Sequence, residues 1–172
     1  MKTMTKFFAL SIVALAFSAS VFAQATATAT ATIVTPITIT KVTDMSFGNV
    51  VPSATLLGTF VLAPDATPTL TNVSQIGSPS ATAAVTAATF TVAGTPGAIY
   101  DITLPGAAIT LTSPSAATMT VDAFKSTPTP AGTLDASLGT QTLSVGATLH
   151  VGIAQAAGTY LSVPFTVTVN YQ

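Results

Sequence analysis

The sequence predicts an all-β protein, an antiparallel β-sandwich of immunoglobulin-like kind, and three observations predict it. Thirty-four threonines, with abundant valine and alanine, supply residue types that suit or tolerate a pleated, half-buried surface. Short extended runs, roughly nine or ten, are separated by Gly, Pro, Ser and Ala at intervals of ~8–12 residues, the rhythm of a sandwich. No window beyond residue 23 repeats apolar residues at i, i+3, i+4 and i+7 between caps, so no helix is predicted there.

Met1 to Ala23 has the three parts of a secretory signal. Lys2 and Lys6 precede an apolar run from Phe7 to Phe17, and Val21-Phe22-Ala23 forms a small-residue cleavage site. That run falls short of the roughly 20 residues a membrane helix needs, so the mature chain is expected to start near Gln24, with no membrane span. Removing 23 of 172 residues leaves 149, enough for one domain with its own core.

Residues 24–172 carry Lys41 and Lys125 against Asp44, Asp65, Asp101, Asp122 and Asp135, a formal net of −3, and no arginine or glutamate. Nucleic acid and anionic lipid are not expected as partners, because phosphate binding needs clustered Lys and Arg. With no cysteine, disulfides, thiol catalysis and thiolate metal sites are excluded together.

Ala25 to Thr40 alternates small apolar residues with threonine, then larger apolar residues with threonine, and reads as one long strand. Pro36 divides it into Ala25–Val34 and Ile37–Val42, since proline cannot donate to a ladder. Met45–Val50 is a short apolar run in which Gly48 suggests a bulge or a close backbone approach, closed by Pro52-Ser53; Gly58–Ala63 follows and stops at Pro64-Asp65. Val85–Ala93, the turn Gly94-Thr95-Pro96-Gly97 and Ile99–Leu104 read as a hairpin. Ile109–Thr112, Met119–Lys125, Thr140–Val145 and Thr148–Ile153 are further runs. The last, Tyr160–Tyr171, has the cleanest period of two. It sets Phe165, Val167, Val169 and Tyr171 on a core face and Thr166, Thr168 and Asn170 on a wet one. A transmembrane barrel would need alternating segments of about 10 residues between aromatic girdles; five Phe and three Tyr beyond residue 23, and frequent Pro and Gly, argue against it.

The order TPITIT…MSFGNVVPS, GTFVLAPDAT, FTVAGTPGAIYDITLP, TMTVDAF, GTQTLSVGATLHVGIAQAAGTYLSVPFTVTVNY resembles the bacterial secreted family catalogued as domain of unknown function 4402, over nearly all of the mature chain. More loosely, FG followed by a proline, the GTPGAIYDITL segment and the AAGTY…FTVTVNY ending are similar to spore-coat-U and chaperone–usher pilin domains. That second resemblance implies an incomplete immunoglobulin-like subunit, polymerised when the N-terminal extension of one copy fills the groove of the next. It also implies a periplasmic chaperone and an outer-membrane usher as partners. Two departures stand out: those pilins usually carry a disulfide, and their donor strands present bulky alternate residues. Here Ala25, Ala27, Ala29 and Ala31 offer methyl groups before Ile33. Burying a CH₂-sized group stabilises by ~0.8 kcal/mol, against ~1.5–3 for a Val or Ile side chain.

Chemistry has few candidates. His150 is the one histidine, with Asp135 its nearest acid in sequence, and it lacks the base, nucleophile or further ligands a triad or zinc site requires. It reads as structural or superficial. The aspartates show no calcium-loop spacing. Asp44 and Asp65 read as turn residues bonding their own backbone, and Asp122, next to Val121, as a solvent-facing strand residue. Asn72-Val73-Ser74 fits a glycosylation sequon, a weak signal. Regular threonines on a flat sheet could order water, as in ice- or surface-binding, but threonine is also a favoured outward strand residue.

No catalytic, cofactor or metal residue is therefore assigned. The expectation is an exported, non-enzymatic structural or adhesive protein, reaching the cell surface or exterior through the periplasm as a pilin-like fibre subunit. Ala25, Ala27, Ala29, Ala31 and Ile33 would form the donated face, with Phe165, Val167, Val169 and Tyr171 as the lip of the acceptor. The alternative is a monomeric secreted binding module that pairs Ala25–Thr35 with itself.

Overall fold

The computed structural model describes residues 24–75 and 84–172, so the secretory signal read in residues 1–23 lies outside the described residues. Val34–Gln172 form one compact unit. Among the described residues there are fifteen strands, numbered in chain order, and no helix. The main sheet runs β1 (Thr38–Thr43), β8 (Ala88–Ala93), β13 (Thr140–Val151), β11 (Thr118–Thr127), β10 (Ile109–Thr112), β14 (Leu161–Ser162). β4 (Gly58–Leu62) also pairs with β13 and carries β5 (Pro68–Thr71). The second layer comes in three pieces: the sheet β12 (Ala131–Thr133), β9 (Ile99–Thr103), β15 (Thr168–Tyr171), and two ribbons. One ribbon joins β2 (Ser46–Phe47) to β7 (Val85–Thr86), the other β3 (Val50–Pro52) to β6 (Val73–Gln75). Every pairing is antiparallel.

β13 holds these pieces together because its period of two never slips. Leu143, Val145, Ala147, Leu149 and Val151 all point inward and are buried, as strand alternation requires. Leu143 and Val145 join Ala88, Val92, Tyr100, Leu134, Val167 and Val169 in one core cluster, where the two sheets face each other. Ala147, Leu149 and Val151 join Phe60, Leu62 and Val121 in a second, capped by Phe47, Val50, Val73 and Val85 of the ribbons. Phe47 meets Phe60 edge to face at 5.4 Å. On β11 the pairing shifts between Asp122 and Lys125, and Ala123 takes φ 48. This one-residue bulge moves the inward parity from Val121 to Phe124, so Phe124 reaches both clusters.

Several expectations change. Thr140–Val145 and Thr148–Ile153 are one strand, and Gly146 is the point where β8 hands its side of β13 to β4. Val85–Ala93 splits into β7 and β8, in different sheets. The segment Gly94–Ala98 turns as predicted, with Gly97 at φ 74 and the Ala98 amide donating to the Thr95 carbonyl. It is an arch between the layers and not a hairpin, because β8 pairs with β1 and β13 while β9 pairs with β12 and β15. Met45–Val50 breaks at Gly48 (φ 67) into β2 and β3, and Tyr160–Tyr171 divides into β14 and β15. β5, β6 and β12 are additional to the strands predicted.

At Gly146 a Cβ would collide with the Leu62 carbonyl oxygen and stand 2.7 Å from the Ala63 carbonyl carbon, whereas Gly106 has open space around it. Gly146→Ala is expected to lower unfolding stability by about 2 kcal/mol or more, and Gly106→Ala to stay within about 0.5 kcal/mol of wild type. Chemical denaturation of both variants checks the difference.

Candidate functional site

Residues 24–37 form no strand, so the long strand predicted from Ala25 begins at Thr38. The physical reason is the lack of a ladder: in a single copy Ala25–Val34 has no strand partner, and alanine and threonine bring little burial to replace one. Ala25, Ala27, Ala29, Ala31 and Ile33 are all exposed.

The other half of the predicted site keeps its expected facing. Val167 and Val169 are buried, Phe165 and Tyr171 half-buried, and Thr166, Thr168 and Asn170 exposed. Phe165 packs on Phe124 with ring centroids 5.2 Å apart. The ladder is shorter than the alternation. β15 pairs with β9 from Thr168 to Tyr171, while Phe165–Val167 continue the in-out pattern without belonging to a strand.

β15 ends its sheet and β1 ends the main sheet, and these two free edges approach each other. Between them lies a seam. Ile37, Ile39, Phe165 and Tyr171 rest against the first core cluster while remaining partly open to solvent. Antiparallel edges of this kind present rows of unpaired N–H and C=O groups, the template for a further strand.

Tyr171 closes one end of the seam with its hydroxyl, a role that its alternation did not reveal. The Tyr171 hydroxyl donates to the Thr35 carbonyl at 2.7 Å and accepts from the Thr95 amide at 2.7 Å. The Thr95 hydroxyl also donates to the Thr35 carbonyl, at 3.3 Å. Thr35, already restricted to extended conformations by Pro36, is thereby fixed where the chain enters β1. Beside it Val34, Thr95, Ala98, Ile99, Tyr171 and Gln172 line an open, mainly apolar depression of about 450 Å³.

The ionisable residues lie elsewhere. His150 Nε2 and Asp122 Oδ1 are 2.9 Å apart on the outer face of the main sheet, each side chain more than two-fifths exposed. Asp122, not Asp135, is thus the histidine's carboxylate partner. The pair sits among Thr59 and Thr120, in a cross-strand row that continues to Thr71 and Thr110. This is an open sheet face, without the enclosure that makes a general base effective. Among the described residues no three His or acidic side chains gather as a metal site. Asp44 forms an ion pair with Lys41 at 2.6 Å, and so differs from the turn residue predicted. Asp65 does cap its turn, accepting from the Thr67 hydroxyl and amide, which hold its carboxyl below the ordinary 3.8. Asp135 behaves likewise, held down by the amides of Leu138 and Ser137.

Among known proteins, the family model described as Domain of unknown function (DUF4402) matches residues 37–171, and the chain belongs to that family. No curated protein and no solved structure matches it.

Two outcomes follow. Tyr171→Phe removes the hydroxyl shared by Thr35 and Thr95 and is expected to cost about 1–2 kcal/mol, read as a lowered denaturation midpoint with an unchanged circular dichroism spectrum. The depressed carboxyls of Asp65 and Asp135 contribute stability above pH 3.8 and lose it as pH falls through their lower folded values. The double variant Asp65→Ala, Asp135→Ala should therefore show a flatter loss of Tm than wild type as pH is lowered below about 4.

Proposed function

Membership of a family of unknown function leaves the assignment to geometry, and we propose that this chain is an exported, non-enzymatic structural subunit that assembles by β-strand addition. The observation that carries the reading is the seam between β1 and β15, next to the point where an unpaired, alternating segment departs. In this mode main-chain bonds supply affinity and alternate side chains supply register. Ala25, Ala27, Ala29, Ala31 and Ile33 of one copy would face the core of the next, over Phe165, Val167, Val169 and Tyr171. The added strand would complete an immunoglobulin-like second layer. A subunit of this kind, leaving Ile37, Ile39, Phe165 and Tyr171 partly open until a strand covers them, would call for a chaperone in the periplasm and an assembly platform in the outer membrane. Its place is the cell surface, as a fimbrial or adhesive fibre.

The registered threonine rows favour a second reading, a monomeric module whose outer face binds a hydrated surface. Strand twist of about 20–25° per neighbour bends those rows out of plane, so they match a flat lattice over few strands.

Deleting residues 25–33 is expected to abolish multimers on unboiled denaturing gels and fibres in electron micrographs. A synthetic peptide of residues 24–35 should bind the deleted protein and raise its Tm. Fibres formed by the deleted protein, or wild type that stays a single species at every concentration in native mass measurement, would sink the proposal in favour of the monomeric module.

A further inference from the structure

Gln24 carries chemistry that neither the sandwich nor strand addition uses. It follows directly on Val21-Phe22-Ala23, the small-residue cleavage site. Cleavage there gives Gln24 a free α-amino group, and glutamine is a side chain that can react with its own. The α-nitrogen and Cδ of the one residue close a five-membered ring, with no other group taking part. From Gln24 to Pro36 every residue is exposed and none belongs to a strand, so no ladder holds the backbone of Gln24 away from ring closure.

We propose that Gln24 is a modification site, cyclised to pyroglutamate in the exported protein, and that the ring shields the segment behind it from stepwise removal by aminopeptidases. The proposal rests on the export reading and is independent of strand addition.

The step balances without a co-reactant. The neutral α-amine attacks Cδ of its own carboxamide. The N–Cδ bond forms, the Cδ–Nε2 bond breaks, and Nε2 leaves as ammonia, carrying the proton that the α-nitrogen gives up. Nothing is oxidised or reduced. An α-amino group ordinarily titrates at about 7.7–8.0, so roughly a tenth of it is the neutral nucleophile at pH 7. Departure of ammonia then carries ring closure to completion.

The sequence behind Gln24 gives the ring its purpose. Residues 25–32 are four Ala-Thr pairs, and Lys41 is the first charged residue after position 23. Exposed, unpaired backbone at a terminus is where proteolysis concentrates, and small uncharged side chains put nothing in its way. An aminopeptidase acts on a free α-amine, which the lactam lacks. Trimming that began at Gln24 would consume the whole Ala/Thr alternation before reaching Thr35-Pro36, the first bond in its path without an N–H.

Ring closure also removes a charge. As an ammonium the terminus would be the one charge in residues 24–40. As a lactam it presents an N–H donor and a C=O acceptor, groups that a strand edge can pair and that cost less to take out of water than an ammonium does.

Intact mass and N-terminal sequencing test the site, on the chain expressed with its own first 23 residues and freshly recovered from outside the cytoplasm. The expected product is residues 24–172, about 17 Da lighter than the free-amine form by the ammonia lost, and blocked to stepwise degradation until pyroglutamyl peptidase removes its first residue. Gln24→Asn is the control. It keeps a neutral carboxamide at the same position, but its shorter side chain could close only a four-membered ring, so it retains the amine. Incubated with an aminopeptidase, wild type should keep residues 24–35 while the variant loses them. A wild-type chain that starts at Gln24 with a free amine, or at another residue near it, would overturn the ring and leave export standing. A chain that still starts at Met1 would remove the export reading as well. A Gln24→Asn chain that resists trimming as well as wild type does would overturn the shielding role.

Discussion

The inward face of β13 is the constraint from which the rest of this architecture follows. Leu143, Val145, Ala147, Leu149 and Val151 make an unbroken apolar stripe along twelve residues of strand, too long for any one short strand to cover. The second layer covers it in pieces, with β12, β9 and β15 over one half and two ribbons over the other. Being narrower than the main sheet, that layer meets β1 along β15 without a ladder between the two strands. Ile37, Ile39, Phe165 and Tyr171 are therefore left half-buried along the seam. The incompleteness is a consequence of strand number and not of poor packing elsewhere, since Phe60, Val92, Tyr100, Leu143 and Val145 are wholly buried.

What the sequence disclosed and what it withheld divide along a physical line. Facing is a local property, so the alternation from Phe165 to Tyr171 was legible and the structure keeps it. Turn chemistry is local too, which is why Asp65 and Gly97 could be placed. Partnership is not local. Nothing in VTAATFTVA distinguishes a strand that stays in one sheet from one that hands over between Thr86 and Ala88, and nothing in GTPGA distinguishes an arch from a hairpin. Gly146 looked like an interruption because its function is to let the Leu62–Pro64 backbone pass, and that backbone is more than eighty positions away in sequence. The clasp at Tyr171 was hidden for the same reason: Thr35 lies 136 positions from it.

The charged residues show how distance alone can mislead. His150 and Asp122 lie within hydrogen-bond reach, the spacing of a catalytic base and its orienting acid. Their surroundings differ from those of an enclosed base, since both side chains are more than two-fifths exposed on the outer face of the main sheet. The seam has the opposite character, with apolar surroundings, free backbone edges and no ionisable side chain of the His or acid type at its core.

Whether pairing by Ala25–Ile33 could hold a fibre together is a question of magnitude. Four alanine methyls at ~0.8 kcal/mol each and one isoleucine at ~1.5–3 sum to about 5–6 kcal/mol of burial, an upper estimate, because an unfolded segment already hides some of its surface. Ladder hydrogen bonds add about 0.5–1.5 kcal/mol each, net of the water they displace. Against these stands an association cost of about 4–15 kcal/mol, together with the ordering of a free segment. An Ala/Thr segment is thus close to balance, where a donor with bulky residues would be well past it. A subunit built this way needs a second source of affinity.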